Sequence, residues 1–144
     1  MISVCRLLGA EIQEHRDGLR IRGFGRNPRP IPEINPGNGG LVLRLLLALG
    51  PWLPDVDFVT DFMDSLGKRP QNDLLFALEQ LGVQVESDGG RLPIRLRSSG
   101  CRGGLTVQVS GAVSSQFATA LLFVAPLLPD GLTVQITGIL RSHP

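Results

Sequence analysis

The feature of the sequence that most constrains its fold is an internal repeat. The segment GLVLRLLLALGPWLPDVDFVT, from Gly40, aligns with SQFATALLFVAPLLPDGLTVQ, from Ser115, at a constant offset of 75 residues. A second pair consists of LLGAEIQEHRDGLRIRGFG, from Leu7, and QLGVQVESDGGRLPIRLRS, from Gln80. Each member of this pair predicts a helix end, a strand, a glycine-containing turn and a second strand. Repetition of this kind indicates an architecture built from similar units.

Hydrophobic periodicity predicts the elements within these units. Two runs, LVLRLLLALG and SSQFATALLFVA, are apolar on nearly every side, which predicts buried helices. Alternation of apolar and polar residues predicts five strands with one face in solvent. These are LRIRG from Leu19, VDFVT from Val56, PIRLRS from Pro93, LTVQVS from Leu105 and LTVQIT from Leu132. We therefore predict an α/β (α+β) fold of repeated β-α-β-α-β-β units, with buried helices and outer sheets, which inverts the usual layered arrangement.

The repeat also predicts the domain organisation. We expect a single partial domain over residues 1–144, with the end of one unit at about 1–35, a complete unit at about 36–103 and the start of another at about 104–144. On this interpretation the chain begins inside one unit and stops midway through another, so that it is a piece of something larger. Incomplete units expose an apolar edge, which predicts self-association or domain swapping.

Composition and charge exclude several classes of protein. The chain has 144 residues, of which 42% are hydrophobic and 19% charged, which is enough for one globular core. A formal net charge of +1 gives no basis for binding nucleic acid or an anionic membrane. The longest apolar runs are too short to span a bilayer, and no signal peptide is visible. Cys5 and Cys101 lack metal-ligand spacing, which predicts reduced thiols and a cytoplasmic protein.

The residues at which each unit enters its first buried helix form a candidate anion site. A helix N-terminus has unpaired N–H groups and the positive end of the helix dipole. Ser114 and Ser115 add hydroxyl donors at one junction, and Gly39 and Gly40 let the backbone approach a ligand at the other. Two such junctions side by side would form a pocket for two anionic groups. Helix capping alone would equally account for Ser114, and turn formation for the glycines.

Two arginines accompany these junctions. Arg44 lies on an otherwise apolar helix, where an unpaired charge is costly, so it needs an anion or a carboxylate, and we favour ligand contact. Arg69 precedes Pro70, which we expect at the first position of the next helix, although Arg69 is equally well explained as a surface residue. His15 is expected to be exposed. No Ser-His-Asp, Cys-His or paired-carboxylate arrangement can be assembled from the sequence.

Three motifs resemble those of a known family. GNGGLVLRLL, DSLGKRPQNDLLFALEQLGVQV and VSSQFATALLFVAPL are similar to the forms GN(A/S)GTxxR, ESLxKRPM and SSQFx(S/T)ALL of the 5-enolpyruvylshikimate-3-phosphate synthases (3-phosphoshikimate 1-carboxyvinyltransferases). The resemblance extends over essentially the whole chain in colinear order. It implies two lobes of three inside-out units each, of which this chain would cover much of one. It also implies a cytoplasmic transferase of the shikimate pathway of aromatic amino acid biosynthesis, which is the target of glyphosate.

The resemblance implies roles for individual residues. Those that correspond to contacts with shikimate 3-phosphate are Ser114, Ser115, Gln116 and Ser142. Those that correspond to contacts with phosphoenolpyruvate are Gly40, Arg69 and Gln116, and the loop that supports them contains Asn38, Gly39 and Arg44. The implied reaction transfers the enolpyruvyl group of phosphoenolpyruvate to the 5-hydroxyl of shikimate 3-phosphate, with no metal or organic cofactor.

The sequence also departs from the family pattern. Leu41 stands where threonine is usual, and Gly67 where a basic residue is usual. The acid, the base and further arginines of the other lobe have no counterpart, so no complete catalytic set is present and we expect the chain to be inactive without the remainder of the enzyme. Two alternatives stay open. One is the related transferase that acts on UDP-N-acetylglucosamine, which SSQ followed by FATALL disfavours; the other is a non-catalytic remnant or isolated anion-binding domain, which Leu41 favours.

Overall fold

The structure is a computed structural model that describes residues 1–112 and 114–138. The helices in these ranges are α1 (Ile2–Leu7), α2 (Gly40–Leu47), α3 (Asn72–Gln80) and α4 (Ser115–Val124). The strands are β1 (Glu11–His15), β2 (Gly18–Arg22), β3 (Glu33–Ile34), β4 (Val56–Phe58), β5 (Val83–Asp88), β6 (Arg91–Ser98), β7 (Leu105–Ser110) and β8 (Leu132–Thr137).

The elements follow the order that the repeat predicts. β3 and β4 are parallel and are joined by α2, and β6 lies antiparallel between β4 and β5. β7 and β8 are likewise parallel and are joined by α4. A short 3-10 turn follows each of these helices, at Gly50–Trp52 and at Ala125–Leu127. Because α2 and α4 also begin at equivalent positions of the repeat, the two β-α-β segments have the same local structure.

The helices α2, α3 and α4 direct their buried faces to the inside of the molecule, and the sheets cover these faces. α2 packs against α4, and α3 packs against β5 and β7. The strand β6 alternates between solvent and core, with Leu92, Ile94 and Leu96 buried. The same core cluster takes in the buried faces of α2, α3 and α4. The predicted fold class, with buried helices and outer sheets, is confirmed.

Two details of that prediction are wrong. β2 has no buried face, because Leu19 and Ile21 are 51% and 61% exposed. α4 is not buried on every side either, since Leu122 and Phe123 are 58% and 69% exposed. An apolar side chain is buried only where another element packs against it. Within residues 1–112 and 114–138, no element covers these two surfaces.

The two cysteines are free and partly buried. The Cys101 thiol donates to the carbonyl oxygen of Pro51 at 3.3 Å, and burial raises the pKa of this thiol. His15 is exposed, as expected. In the described part of the chain, no helix combines the length and the apolar character needed to cross a membrane.

Candidate anion-binding site

The loop before α2 is held by side chains from both of its ends. The Asn35 carboxamide oxygen accepts from the main-chain N–H of Gly37 at 2.9 Å. Thr60, which follows β4, donates its hydroxyl to the Gly37 carbonyl oxygen at 2.8 Å. Gly39 then has extended backbone angles and serves as the N-cap, so that α2 begins at Gly40. The predicted junction is therefore a defined turn that leads into a helix N-terminus.

The junction before α4 has a side-chain cap. Ser114 is the N-cap, and its hydroxyl oxygen accepts from the main-chain N–H of Gln116 at 3.3 Å. This is the capping role left open for Ser114 by the sequence. Ser115 is the first residue of the helix, is half-buried, and accepts from the Thr119 hydroxyl through its main-chain oxygen.

Arg44 connects the two junctions. Its Nη1 donates to the Ser114 hydroxyl oxygen at 3.3 Å and to the Gln116 carboxamide oxygen. Its Nε donates to the Gln71 carboxamide oxygen at 3.1 Å. The guanidinium also lies over the ring of Phe117, with its carbon 4.7 Å from the ring centroid, a distance typical of cation–π contacts. The start of α2 and the start of α4 therefore lie side by side.

No acid among the described residues balances the charge of Arg44. Only 9% of the residue is exposed, and each of its side-chain hydrogen-bond acceptors is a neutral oxygen. Among the residues that the structure describes, neither Arg44 nor Arg69 forms an ion pair. Burial and, to a smaller extent, the charge of Arg69 lower the pKa of Arg44. An arginine nevertheless stays protonated in proteins, so the junction retains uncompensated positive charge.

Gly40 is the point on which both guanidinium groups converge. A Cβ atom added to Gly40 would lie 3.1 Å from Arg69 Nη1 and 3.9 Å from Arg44 Nη1. A larger residue at this position would therefore have to displace the exposed side chain of Arg69. Gly40 therefore lets the Arg69 guanidinium approach the start of α2 closely, and the close approach of a ligand at the same position stays a prediction.

The other predicted residues differ in their surroundings. Asn38 is exposed next to Gly39, and Leu41 is exposed in the first turn of α2. Ser142 lies outside the described residues. The structure thus brings together Gly40, Arg44, Arg69, Ser114 and Gln116.

Sequence reasoning missed two members of this cluster, Gln71 and Phe117. Both are fully buried against Arg44. The expectation that Pro70 starts α3 is wrong, because Gln71 is the N-cap and its main-chain N–H donates to the Gly90 carbonyl oxygen at 2.8 Å. Gln71 could have been recognised in the sequence as a polar residue that stands between Pro70 and an apolar helix. Nothing in the sequence marks Phe117 as an arginine partner rather than an ordinary core residue.

Inward-packed helices covered by sheets, with two adjacent helix N-termini whose arginines have no acidic partner among the described residues, define an inside-out α/β protein with a basic site at its helix N-termini. A profile of the EPSP synthase family (3-phosphoshikimate 1-carboxyvinyltransferase) matches residues 1–144. The chain belongs to the EPSP synthase family.

Individual relatives agree with this assignment. The chain is 50% identical to the 3-phosphoshikimate 1-carboxyvinyltransferase of Deinococcus radiodurans over 143 residues, which are 99% of this chain and 32% of that protein. It is 38% identical to the enzyme of the same name from Burkholderia pseudomallei, over 92% of this chain and 30% of that protein. A solved structure of EPSP synthase from Acinetobacter baumannii has a similar fold, with a TM-score of 0.73 at 24% identity over 95% of this chain and 32% of that one. The chain thus spans about a third of the length of these relatives.

Proposed function

We propose that the chain carries part of the substrate-binding surface of a 3-phosphoshikimate 1-carboxyvinyltransferase. Such an enzyme transfers the enolpyruvyl group of phosphoenolpyruvate to the 5-hydroxyl of shikimate 3-phosphate, with release of inorganic phosphate. Family membership over residues 1–144 supports this proposal. The reaction would make the protein a transferase of aromatic amino acid biosynthesis, and both of its substrates are anions.

The observation that carries the proposal is the pair of arginines at the start of α2. Arg44 and Arg69 both approach Gly40 without a carboxylate partner in the described ranges. Guanidinium groups bind phosphate and carboxylate oxygens in bidentate fashion, and a helix N-terminus adds N–H donors. An anion placed there would relieve the repulsion between the two cations.

The proposal assigns each substrate to one junction. Phosphoenolpyruvate would lie near Gly40 and Arg69, and the phosphate of shikimate 3-phosphate near Ser114 and Ser115, with Gln116 between the two. Ser142 would join the second group from outside the described residues. Asn38, Gly39 and Arg44 would support the first junction rather than react.

The contribution of these residues to the reaction would be positioning and neutralisation of charge. The proton transfers would be performed by acid and base residues in the remainder of the enzyme. We therefore expect the chain alone to bind substrate without turnover.

The remainder of the enzyme is also the proposed partner of the exposed apolar surfaces. Under the division into units at about 1–35, 36–103 and 104–144, the β1–β2 hairpin and α4 belong to different incomplete units. Their exposed side chains, Leu19, Ile21, Leu122 and Phe123, would contact the missing parts of those units. In the isolated chain the same surfaces would favour self-association.

Calorimetric titration with shikimate 3-phosphate tests the proposal. We expect wild-type protein to bind, and Ser115→Ala to weaken binding by about tenfold, the effect of losing one hydrogen bond to a charged group. Ser87→Ala, at an exposed position on β5, is the matched control and should bind like the wild type. Absence of binding would favour a non-catalytic remnant, and stronger binding of UDP-N-acetylglucosamine would favour the related transferase.

A further inference from the structure

Gln71 is a fully buried polar residue that neither proposed substrate group includes. It is the N-cap of α3, and its main-chain N–H donates to the carbonyl oxygen of Gly90, in the turn between β5 and β6. A side chain at Gly90 is excluded, because φ there is 71° and an added Cβ would lie 1.8 Å from Asn72 Oδ1. The backbone of Gln71 is therefore fixed by its contact with this turn.

The side chain of Gln71 connects the two arginines. Its Oε1 accepts from Arg44 Nε at 3.1 Å, and its Nε2 donates to the main-chain oxygen of Arg69 at 2.8 Å. The other end of the Arg44 guanidinium then donates to Ser114 and Gln116 on α4. A single carboxamide thus directs the Arg44 side chain and holds the segment from which the Arg69 side chain extends.

For anion binding, the absence of charge on this carboxamide matters as much as its shape. A glutamate of nearly the same size would accept from Arg44 more strongly, because charge-assisted hydrogen bonds are the stronger kind. It would also cancel one of the two positive charges that face Gly40. Glutamine satisfies the buried Nε–H donor and leaves the net charge of the anion-binding site unchanged.

We infer that Gln71 is a positioning residue, which aims the guanidinium of Arg44 and fixes Arg69 while leaving both positive charges free for an anionic substrate. The inference rests on the proposed function, since it concerns the same site. It adds that the strength of anion binding depends on a neutral side chain at position 71.

The test compares two substitutions of Gln71 with a control. Gln71→Glu keeps the acceptor but adds a negative charge, and Gln71→Met keeps the volume but removes the acceptor. Gln80→Glu adds the same charge at the other end of α3. Binding of shikimate 3-phosphate and of inorganic phosphate is measured by calorimetry, and circular dichroism verifies folding.

We expect the added charge to have the larger effect. Gln71→Glu should weaken binding of both probes by at least about tenfold, because it neutralises Arg44 at hydrogen-bond distance. Gln71→Met should weaken binding by about threefold, since it only loosens Arg44. Gln80→Glu should stay within about twofold of the wild type, because the charge is added at the opposite end of α3, where the distance and the solvent screen it.

A spectroscopic signal separates positioning from general stability. The Nε–H resonance of Arg44, assigned from its loss in Arg44→Lys, should move in both Gln71 variants and stay in place in Gln80→Glu. In the wild type the same resonance should move when inorganic phosphate is added, which tests the contact with an anion without any substitution of Gln71.

Each result has one interpretation. Equal weakening by Gln71→Glu and Gln71→Met, or wild-type affinity in both, overturns the inference and leaves the proposed function in place. A wild-type chain that binds neither probe, with an Arg44 resonance that phosphate does not move, overturns both.

Discussion

The hairpins β5–β6 and β1–β2 are built from similar sequences but differ in burial. In β6, Leu92 and Ile94 point into the core and are buried. In β2, Leu19 and Ile21 stand at the equivalent positions of the repeat and are both exposed. The first hairpin follows β3, α2, β4 and α3 and lies against α3, whereas the second follows only the short helix α1. Alternation is therefore sufficient to form a hairpin, but a packing partner decides whether its apolar face is buried.

The helices α2 and α4 differ in the same way. Leu47 and Ala48 are fully buried at the end of α2, whereas Leu122 and Phe123, their equivalents at the offset of 75, are exposed on α4. α3 and the β5–β6 hairpin pack around the end of α2, where Leu78 of α3 and Leu96 of β6 approach Gly50. The described residues contain no corresponding helix and hairpin after α4.

Shortening an equivalent isoleucine in each hairpin should produce the largest difference between them. Ile94→Ala should lower the free energy of unfolding by about 3 kcal/mol, because it leaves a cavity in the core. Ile21→Ala should change it by less than about 0.5 kcal/mol, as is usual for an exposed position. Urea denaturation measures both values. Similar losses in the two variants would show that the β1–β2 hairpin is covered in solution.

The exposed apolar side chains at the end of α4 should promote self-association of the chain. We expect the chain to form dimers or larger species at micromolar concentration, and Phe123→Lys to raise the dissociation constant by about tenfold, since an aromatic residue contributes strongly to an interface. Sedimentation velocity over a concentration series measures this. Phe76→Lys, at an exposed phenylalanine on α3 of the complete unit, is the control and should have little effect. A wild-type chain that stays monomeric throughout would contradict the prediction.

The ion pairs on the outer faces of the two hairpins should differ in how much they stabilise the folded state, and this smaller difference should depend on pH. Arg95 of β6 forms two hydrogen bonds, of 2.6 and 2.8 Å, with the Asp57 carboxylate, whereas Arg22 of β2 lies 4.0 Å from Glu11. The hydrogen bonds from Arg95 lower the pKa of Asp57. A carboxylate whose pKa is lowered by folding stabilises the folded state above the ordinary aspartate pKa, and this contribution is lost as the pH falls through the lowered value.

Thermal unfolding between about pH 6 and pH 2 tests this difference. The melting temperature of Asp57→Asn should fall less steeply with acid than that of the wild type. Glu11→Gln should leave the slope unchanged. The effect should be the smallest of the three, because solvent screens exposed ion pairs. An unchanged slope in Asp57→Asn would mean that the Arg95 pair contributes nothing measurable.

The sequence predicted the start of each first helix to within one residue. Gly40 and Ser115 are the first residues of α2 and α4, because the preceding residues are suited to turns and caps and the following ones are apolar. It also identified Arg44 as a buried charge in need of a partner. The binding roles of Ser115, Arg69 and the other family positions stay predictions.

The partners of Arg44 were not predictable from local pattern. Gln71 lies 27 residues away along the chain, and Gln116 lies 72 residues away. Such contacts depend on how α2, α3 and α4 pack together, and many polar residues in the sequence could have filled the same role. In the described part of the chain Arg44 contacts neutral oxygens and an aromatic ring rather than a carboxylate, and the expected anionic ligand stays a prediction.

The sequence by itself determined the repeated units, their helices and strands, and the positions at which helices begin, because periodicity and capping act between residues close together in the chain. Tertiary structure alone decided which apolar faces are buried and which side chains surround Arg44. Burial and long-range hydrogen bonds require a second surface in the right place, and the local sequence of one element carries no information about the element that packs against it.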